Sequence, residues 1–592
     1  MIFYNHLPDG SYVEATGGYN TGAFSGYKNY KTTMLENGVE VSPEYDEMLH
    51  KAAYYNALLY APDGSGLQYG DSSPGLRDAG LFKDIYEWYN DKELEYITTY
   101  GSGGTKPPWT SRHWSDSTVT AMRADWSRES PYLFTNVRGG GQHGHSDYNG
   151  LIVYAYGRTL LNDAGIFTYT SSDPYRQWGL SSTAHNTVVI NDRSQNRDSN
   201  GGHVATGTVH DFMTNSAFDC LSQSTPQTPG FTHRRTITFI KPNLWIVSDL
   251  MIPEKEGERN NYKQVWHMLP ESGLSTSEKD KTIVSNYESG ANIIVASADN
   301  DDVEVKEEMG WFDRSYQQLE KARYGYFEKD NIEGNASFDT VLVPTDNDPD
   351  AQVNAEALDL NVEKSTATAL KLTSYINGEK STGYYYLSYE EDPQAESVFG
   401  KYVTDGEMAY ISEQENGTAS QLIARNASFV REDGNDKALV LYSGKIKNIS
   451  IEQSGDRMDI QTSDTDLDYS GLKILAPEGI HALYINGTKH AFKLKDGYLM
   501  ISDEEPSIEE LIEGYIKDGQ LNSDLGDQLL YRVSIIHTME DQKQFAEAVN
   551  YLKDLRSYIS APAVLQQGLI TEEALDVINA KAQEWIEGLQ AG

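Results

Sequence analysis

Leu151-Ile152-Val153-Tyr154-Ala155-Tyr156 decides the fold class. It is a short run of branched and aromatic side chains that ends on a glycine, Gly157, which is how a strand reads and not a helix. The same signature recurs at Asn186-Thr187-Val188-Val189-Ile190, Arg235-Thr236-Ile237-Thr238-Phe239-Ile240 and Trp245-Ile246-Val247-Ser248. From about residue 112 to about 500 the period is two, with Gly, Asn and Asp turns between short strands. That pattern predicts a large antiparallel β-sandwich.

The period differs on both flanks. In residues 45–59, Met48, Ala52, Tyr55 and Leu59 recur at helical spacing and form one apolar stripe. Residues 1 to about 105 therefore read as helical hairpins, separated by turn clusters at residues 62–66 and 101–104. The second cluster, followed by Pro107-Pro108, reads as a domain boundary, and a break at residues 431–436 starts a smaller β unit. Beyond about residue 503 helices return, with Ser507 at an N-cap and Glu510 at the capping-box position. The expected organisation is α+β and multidomain: helices over 1–108, a β-sandwich over 109–430, a small β domain over 431–502 and a helical bundle over 503–592.

Composition narrows the function. A chain of 592 residues predicts three or four domains. Tyr (40) far outnumbers Phe (16), which suits wet, aromatic-lined clefts for carbohydrate better than lipid sites. No apolar run reaches the roughly 18 residues of a membrane span, and the first residues carry neither a basic nor an apolar leader region. The single cysteine, Cys220, rules out an internal disulfide. A formal charge of −41 makes nucleic acid a poor partner. Against that acidity, residues 111–200 hold eight Arg, eight Asp or Glu and four of the thirteen His, a neutral stretch where an anionic ligand is tolerated.

The densest chemistry lies there, in Asn136-Val137-Arg138-Gly139-Gly140-Gly141-Gln142-His143-Gly144-His145-Ser146-Asp147. Three glycines before His143 allow close approach of backbone to a ligand. In an extended segment His143 and His145 project to the same side, and Asp163 and His185 could complete a site. Two imidazoles and a carboxylate suit Zn²⁺ better than a hard cation. Spacing alone equally fits a hydrogen-bonded histidine pair beside a cleft.

An ordered series of motifs is more specific: residues 121–126, His143-Gly144-His145-Ser146-Asp147, Leu160-Leu161-Asn162-Asp163-Ala164-Gly165, His185-Asn186-Thr187-Val188-Val189, then His233-Arg234-Arg235 and Trp266-His267. The series resembles the heparinase II/III β-domain, over roughly residues 5 to 430. The resemblance implies a partial α/α toroid followed by an antiparallel β-sandwich, so that residues 1–108 would be a toroid remnant. It implies His145, Asp163 and His185 as ligands of a structural metal, usually zinc, and His143 as a catalytic histidine. Residues 9–19 resemble the segment carrying the catalytic tyrosine, with Tyr19 the best match and Tyr12 and Tyr27 as fallbacks.

The implied activity is that of a polysaccharide lyase cleaving a uronic-acid polymer by β-elimination. Removing H5 of a uronate requires its carboxylate to be neutralised, a base to take the proton and an acid to protonate the departing O4. Arg138, Arg176 and Gln142 are the candidates for holding the anionic substrate. The family's carboxylate-neutralising Asn-His pair lies some fifty residues before its tyrosine. Only about eighteen residues precede Tyr19, and Asn5-His6 lies too close to replace the pair. The expectation is that the front of the toroid and any signal peptide are missing from this chain. Alginate, heparan sulfate, chondroitin, hyaluronate and gellan-like polymers all suit the architecture, and the acidic balance leans toward an unsulfated one such as alginate. The acidic C-terminal bundle is similar to the helical module of many extracellular Firmicutes enzymes, which implies secretion and association with a cell wall or matrix. Two other readings remain: a non-catalytic carbohydrate-binding relative or inactive fragment, and a hydrolase, either zinc-dependent or a two-carboxylate glycosidase, for which Asp147 and Glu14 are the only nearby acids with plausible placement and which the histidine–tyrosine set suits less well than elimination.

Overall fold

The computed structural model describes residues 2–14, 16–138, 143–197, 207–299, 302–362, 365–393, 395–476, 479–502, 507–517 and 519–591. Gln142 lies outside them. The chain forms two compact units, residues 1–427 with 447–450, and residues 428–446 with 451–592. The small β part and the C-terminal helices thus share one unit.

In the first unit, helices Gly17–Glu36, Pro43–Leu58, Gly80–Tyr89 and Lys92–Thr98 precede the strands. Ser42 caps the second by accepting from the Tyr45 amide at 3.3 Å, with Pro43 pre-set at the first helical position. Ala52, Tyr55 and Leu59 of the expected stripe are buried. The strands that follow form a five-stranded antiparallel meander, Arg112–Trp114, Val119–Arg123, Tyr132–Asn136, Leu151–Ala155 and Arg158–Leu161.

This meander is buried on both faces. Tyr132 opposite Tyr154 and Phe134 opposite Ile152 point into the core shared with the helices. Leu133 opposite Val153 points the other way, into a core with Ile237, Phe239, Trp245, Trp266 and Phe327. Double burial explains why Leu151–Ala155 is apolar throughout and does not alternate with polar residues. The second core joins the meander to an eight-stranded sheet, which includes Phe231–Ile240 and Leu244–Pro253, and to a four-stranded sheet of Glu304–Ser315, Gln318–Glu333, Arg259–His267 and Val188–Ile190. The far face of the eight-stranded sheet packs Phe218, Ile246 and Val341 against Leu370, Tyr385 and Ile423 of the following strands.

In the second unit, strands from Ala438–Ser454 onward are antiparallel except for Arg457–Gln461 beside Ala482–Ile485, which run parallel. Helices Ile508–Lys517, Ser523–Asp541, Phe545–Ile559, Pro562–Gln566 and Glu572–Ala591 follow around one apolar core. The capping box closes in both directions: the Glu510 amide donates to Ser507 Oγ at 3.3 Å and the Ser507 amide to Glu510 Oε2 at 3.0 Å. No helix of the described residues is long and apolar enough to cross a membrane.

One buried polar knot ties the sheets to the segments that carry the candidate site. Asp249 receives Arg235 Nε and Nη2, each at 2.7 Å, His233 Nε2 at 2.7 Å and Gln264 Nε2 at 2.8 Å. Arg235 Nη1 also donates to the carbonyls of Asn149 (2.5 Å) and Asn186 (2.8 Å). Burial alone would raise the Asp249 carboxyl, but Arg235 and His233 outweigh it and hold the group well below the usual carboxylate range. A folded pKa below the unfolded value of about 3.9 gives stability that is complete above that pH and is lost as pH falls through it. The Tm difference between wild type and Asp249→Asn is therefore expected to shrink on acidification from about pH 6 to about pH 3. A difference independent of pH would show that the carboxylate charge contributes nothing.

Candidate functional site

Tyr19 is the third residue of its helix, and the helix start is held from a distance. Thr16, at the N-cap, makes no side-chain capping bond. Ser72 Oγ instead accepts from the amides of Gly17 (2.9 Å) and Gly18 (3.1 Å), satisfying two of the free donors there. The next residue back, Asp71, donates its amide to the His143 carbonyl at 2.9 Å. The turn at residues 69–75 thus fastens both the tyrosine helix and the histidine segment.

The rings of Tyr19 and His143 stack with centroids 3.8 Å apart and 18° between planes. His143 Nδ1 lies 2.6 Å from Glu14 Oε2, and Tyr19 Oη lies 2.8 Å from Tyr169 Oη. The Tyr169 ring meets His143 edge-on at 6.3 Å. Tyr19 and Tyr169 are 38% and 48% exposed, so this group opens to solvent. Burial of its hydroxyl, then the bond to Tyr19, raises the Tyr169 phenol above its usual range.

His143 occupies a turn, and His145 beyond it enters the interior, so the two rings do not share one side. His145 Nε2 meets Asp71 Oδ1 at 2.9 Å, and the rings of His145 and His185 are 5.3 Å apart. His185 Nδ1 meets Asp163 Oδ2 at 2.7 Å. His145, Asp163 and His185 are buried and offer ligand atoms within 4.8 Å of one another. Burial keeps the His145 imidazole below its usual value, in the neutral form that binds metal. Burial pushes the Asp163 carboxyl up, but His185 outweighs that and holds it low; the same pairing raises His185 despite burial.

The residues fit a metal. Among the described residues, His145 Nδ1 is buried with no hydrogen-bond partner, His185 Nε2 has none beyond the nearby Gly179 backbone, and the Asp147 carboxylate has none beyond its own backbone. Burial lifts Asp147 to about 7, so it is a carboxylate lacking a compensating cation. Asp71 supplies the outer support that metal-bound histidines usually have. Gly165 completes the local fold: its φ is +74°, and a Cβ there would meet Gln68 Nε2 at 3.0 Å. The later motifs position these segments. Asn186 Nδ2 donates to the carbonyls of Leu151 (2.8 Å) and Asn162 (2.9 Å), and the His267 amide donates to Asn186 Oδ1 at 2.6 Å.

The expected substrate arginines are engaged within the protein. Arg176 forms a bidentate pair with Asp71, Nη2 to Oδ2 at 2.8 Å, and its side chain is buried. Arg138 is buried too, donating to the carbonyls of Val13 (3.2 Å) and Asp116 (2.8 Å). The fallback tyrosines are elsewhere: Tyr12 is buried against His6, and Tyr27 accepts from Asn5 Nδ2 at 2.6 Å. Asp71 and Tyr169 were not legible as site residues, since neither belongs to a motif. Glu14 read only as a possible hydrolase acid and stands here as the histidine's partner.

Comparison with known proteins bears on this arrangement. Residues 131–339 match the family model "Heparinase II/III-like, C-terminal", a stretch holding His143, His145, Asp163 and His185. Over that stretch the chain is similar to the heparinase II/III family. Among its relatives is a heparin-sulfate lyase of Bacteroides stercoris, 22% identical over 360 residues, covering 59% of this chain and 52% of that protein. Another is a heparin-sulfate lyase of Pedobacter heparinus, 22% identical over 385 residues, covering 63% and 56%. The chain spans about half the length of these curated relatives. Its fold is similar to the crystal structure of a heparan sulfate lyase from Pedobacter heparinus, with a TM-score of 0.58 at 20% identity over 66% of this chain and 61% of the other. The crystal structure of heparinase III gives 0.57 at 18% identity over 64% and 61%. Residues 506–587 match a FIMAH domain. Tyr19, Glu14 and Asp71 lie outside both matched stretches.

Proposed function

We propose that this chain is a lyase that cleaves a uronic-acid glycosaminoglycan by β-elimination, with Tyr19 and His143 moving the protons. The observation that carries the reading is the stacked, solvent-open pair of Tyr19 and His143, each held by a further polar partner. With Nδ1 donating to Glu14, the imidazole keeps its lone pair on Nε2, the form in which it accepts a proton. H5 passes to the base, a C4–C5 double bond forms, the C4–O4 bond breaks, and the phenol of Tyr19 gives its proton to O4. Where H5 and O4 leave from one face, Tyr19 can serve both steps.

The helices before residue 108 are read as part of an α/α toroid, and the stacked sheets that follow as the family's β-sandwich. His145, Asp163 and His185, with Asp147 beside them, are proposed to hold Zn²⁺. The ion would supply structural charge compensation, clamping the strand segments that form one wall of the cleft. The heparin-sulfate lyase relatives favour a glucosamine–uronate backbone over alginate. The substrate is extracellular, and the C-terminal helical module is proposed to keep the secreted enzyme near a cell wall or matrix.

The test is absorbance from unsaturated uronate ends after incubation with heparan sulfate, unsulfated heparosan, hyaluronate, chondroitin and alginate. A rise with heparan sulfate or heparosan is the expected result, and a rise with alginate alone would overturn the backbone assignment. Silence across the panel from folded protein would leave a carbohydrate-binding relative in place of a lyase.

A further inference from the structure

Tyr316 sits at the tip of the hairpin joining Glu304–Ser315 to Gln318–Glu333, nearly 300 residues from Tyr19 in sequence. Its ring lies 5.8 Å from that of Tyr169, tilted by 35°, and it is 46% exposed. The tip is fastened on both sides. The Gln317 amide donates to the Phe167 carbonyl at 2.9 Å and the Asp313 amide to the Ala164 carbonyl at 3.0 Å. Gln68 Nε2 donates to the Asp313 carbonyl at 2.8 Å, and Arg314 is paired with both Glu271 and Glu320. Beneath Tyr169, the Arg176 guanidinium lies 5.6 Å from the ring centroid. Two large aromatic rings thus lie side by side in solvent on a fastened hairpin tip, in contact with the Tyr19–His143 pair through Tyr169.

Exposed rings carried on a tip that five backbone or side-chain bonds fasten are pre-organised for a ligand. At 5.8 Å and 35° the gap between them is too narrow to admit a sugar ring. A sugar can only lie across their outward faces, with its axial C–H groups on the π-surface and its hydroxyls in water.

We propose that Tyr169 and Tyr316 form a sugar-stacking subsite that binds the monosaccharide unit next to the scissile bond of a uronic-acid polysaccharide. This rests on the lyase reading for the position of the bond, while the ligand class follows from the platform itself. Tyr169, bonded to Tyr19, carries the ring nearest the chemistry, and Tyr316 carries its neighbour. The ring and not the hydroxyl of Tyr316 does the binding, because among the described residues no hydrogen bond orients that hydroxyl toward the platform.

The test uses the full chain carrying Tyr19→Phe, so that no bond is cleaved during titration, and measures calorimetric affinity for a heparan sulfate hexasaccharide and an alginate hexasaccharide separately. Adding Tyr316→Ala is expected to weaken binding by about five- to twentyfold, and adding Tyr316→Phe by less than about twofold. In the chain with Tyr19 intact, Tyr316→Ala is expected to raise KM by a similar factor with kcat within about twofold. Equal affinity of Tyr316→Ala and its parent, or no binding of either hexasaccharide by the parent, would overturn the subsite. Weakened binding in a chain that never yields unsaturated ends keeps the subsite and removes the lyase. Unsaturated ends with KM unchanged in Tyr316→Ala keep the lyase and remove the subsite.

Discussion

If the chain is the proposed lyase, Tyr19→Phe is expected to lower kcat by about three orders of magnitude, the scale of a lost acid–base group, with KM within about threefold and Tm unchanged. The split is what the structure requires. Among the described residues the hydroxyl of Tyr19 bonds only to the hydroxyl of Tyr169, and the ring, which carries the stack on His143, survives the substitution. Phe therefore keeps the packing and the ring surface while removing the proton that, in the proposed elimination, goes to the departing O4. His143→Ala is expected to be at least as damaging to kcat. It also strips the Tyr19 ring of its stacking partner and Glu14 of its hydrogen bond, so a modest rise in KM accompanies it. Steady-state absorbance at several substrate concentrations separates the two effects. Full activity in Tyr19→Phe would transfer the proton role to Tyr169, the neighbouring phenol in the open group. Tyr12 and Tyr27 would not inherit it, since Tyr12 is buried and Tyr27 is bonded to Asn5.

How far this arrangement could be read from sequence depends on whether a residue's partner is near it in the chain. Leu151–Ala155 and Ser507 with Glu510 were legible because strand pattern and helix capping are local. The double burial of the meander was not. The helices that cover Tyr132 and Ile152 come from residues 17–98, and nothing in a run of apolar residues says how many faces are covered. The motifs around His143, His145, Asp163 and His185 gave residue types and their spacing, and the structure brings the last three together. They gave no sign that His143 turns outward to Glu14 while His145 turns inward to Asp71. Arg176 shows the limit most plainly: a lone arginine near a glycine-rich loop reads as an anion clamp, and its partner Asp71 lies 105 residues away. Burial decides between the two readings, and burial is a property of the fold.

Chelation of the wild-type chain is expected to lower Tm by about 5–10 °C, and His185→Ala to bring Tm down to at least the same level while abolishing stoichiometric zinc measured by atomic emission. The argument starts from what is left uncompensated. Asp147 and Asp163 are buried carboxylates next to one another's field, and the guanidinium that could serve them, Arg176, is bound to Asp71. His185 and the Gly165 amide compensate Asp163, while burial lifts Asp147 to about 7 against the partial pull of His185. A divalent ion held by the open nitrogens of His145 and His185 would balance both carboxylates, which a hydrogen-bonded cluster cannot do. The two descriptions diverge in one measurement. If the cluster is self-sufficient, chelator leaves the wild-type Tm where it was, and His185→Ala alone destabilises by about 3–5 kcal/mol through the stranded Asp163. If the ion is resident, chelator and substitution converge on similar melting behaviour, and zinc restores the first but not the second. Because the same segments carry His143 two residues before His145, loss of the ion also loosens the stack on Tyr19, so activity falls with Tm in both cases where metal is lost.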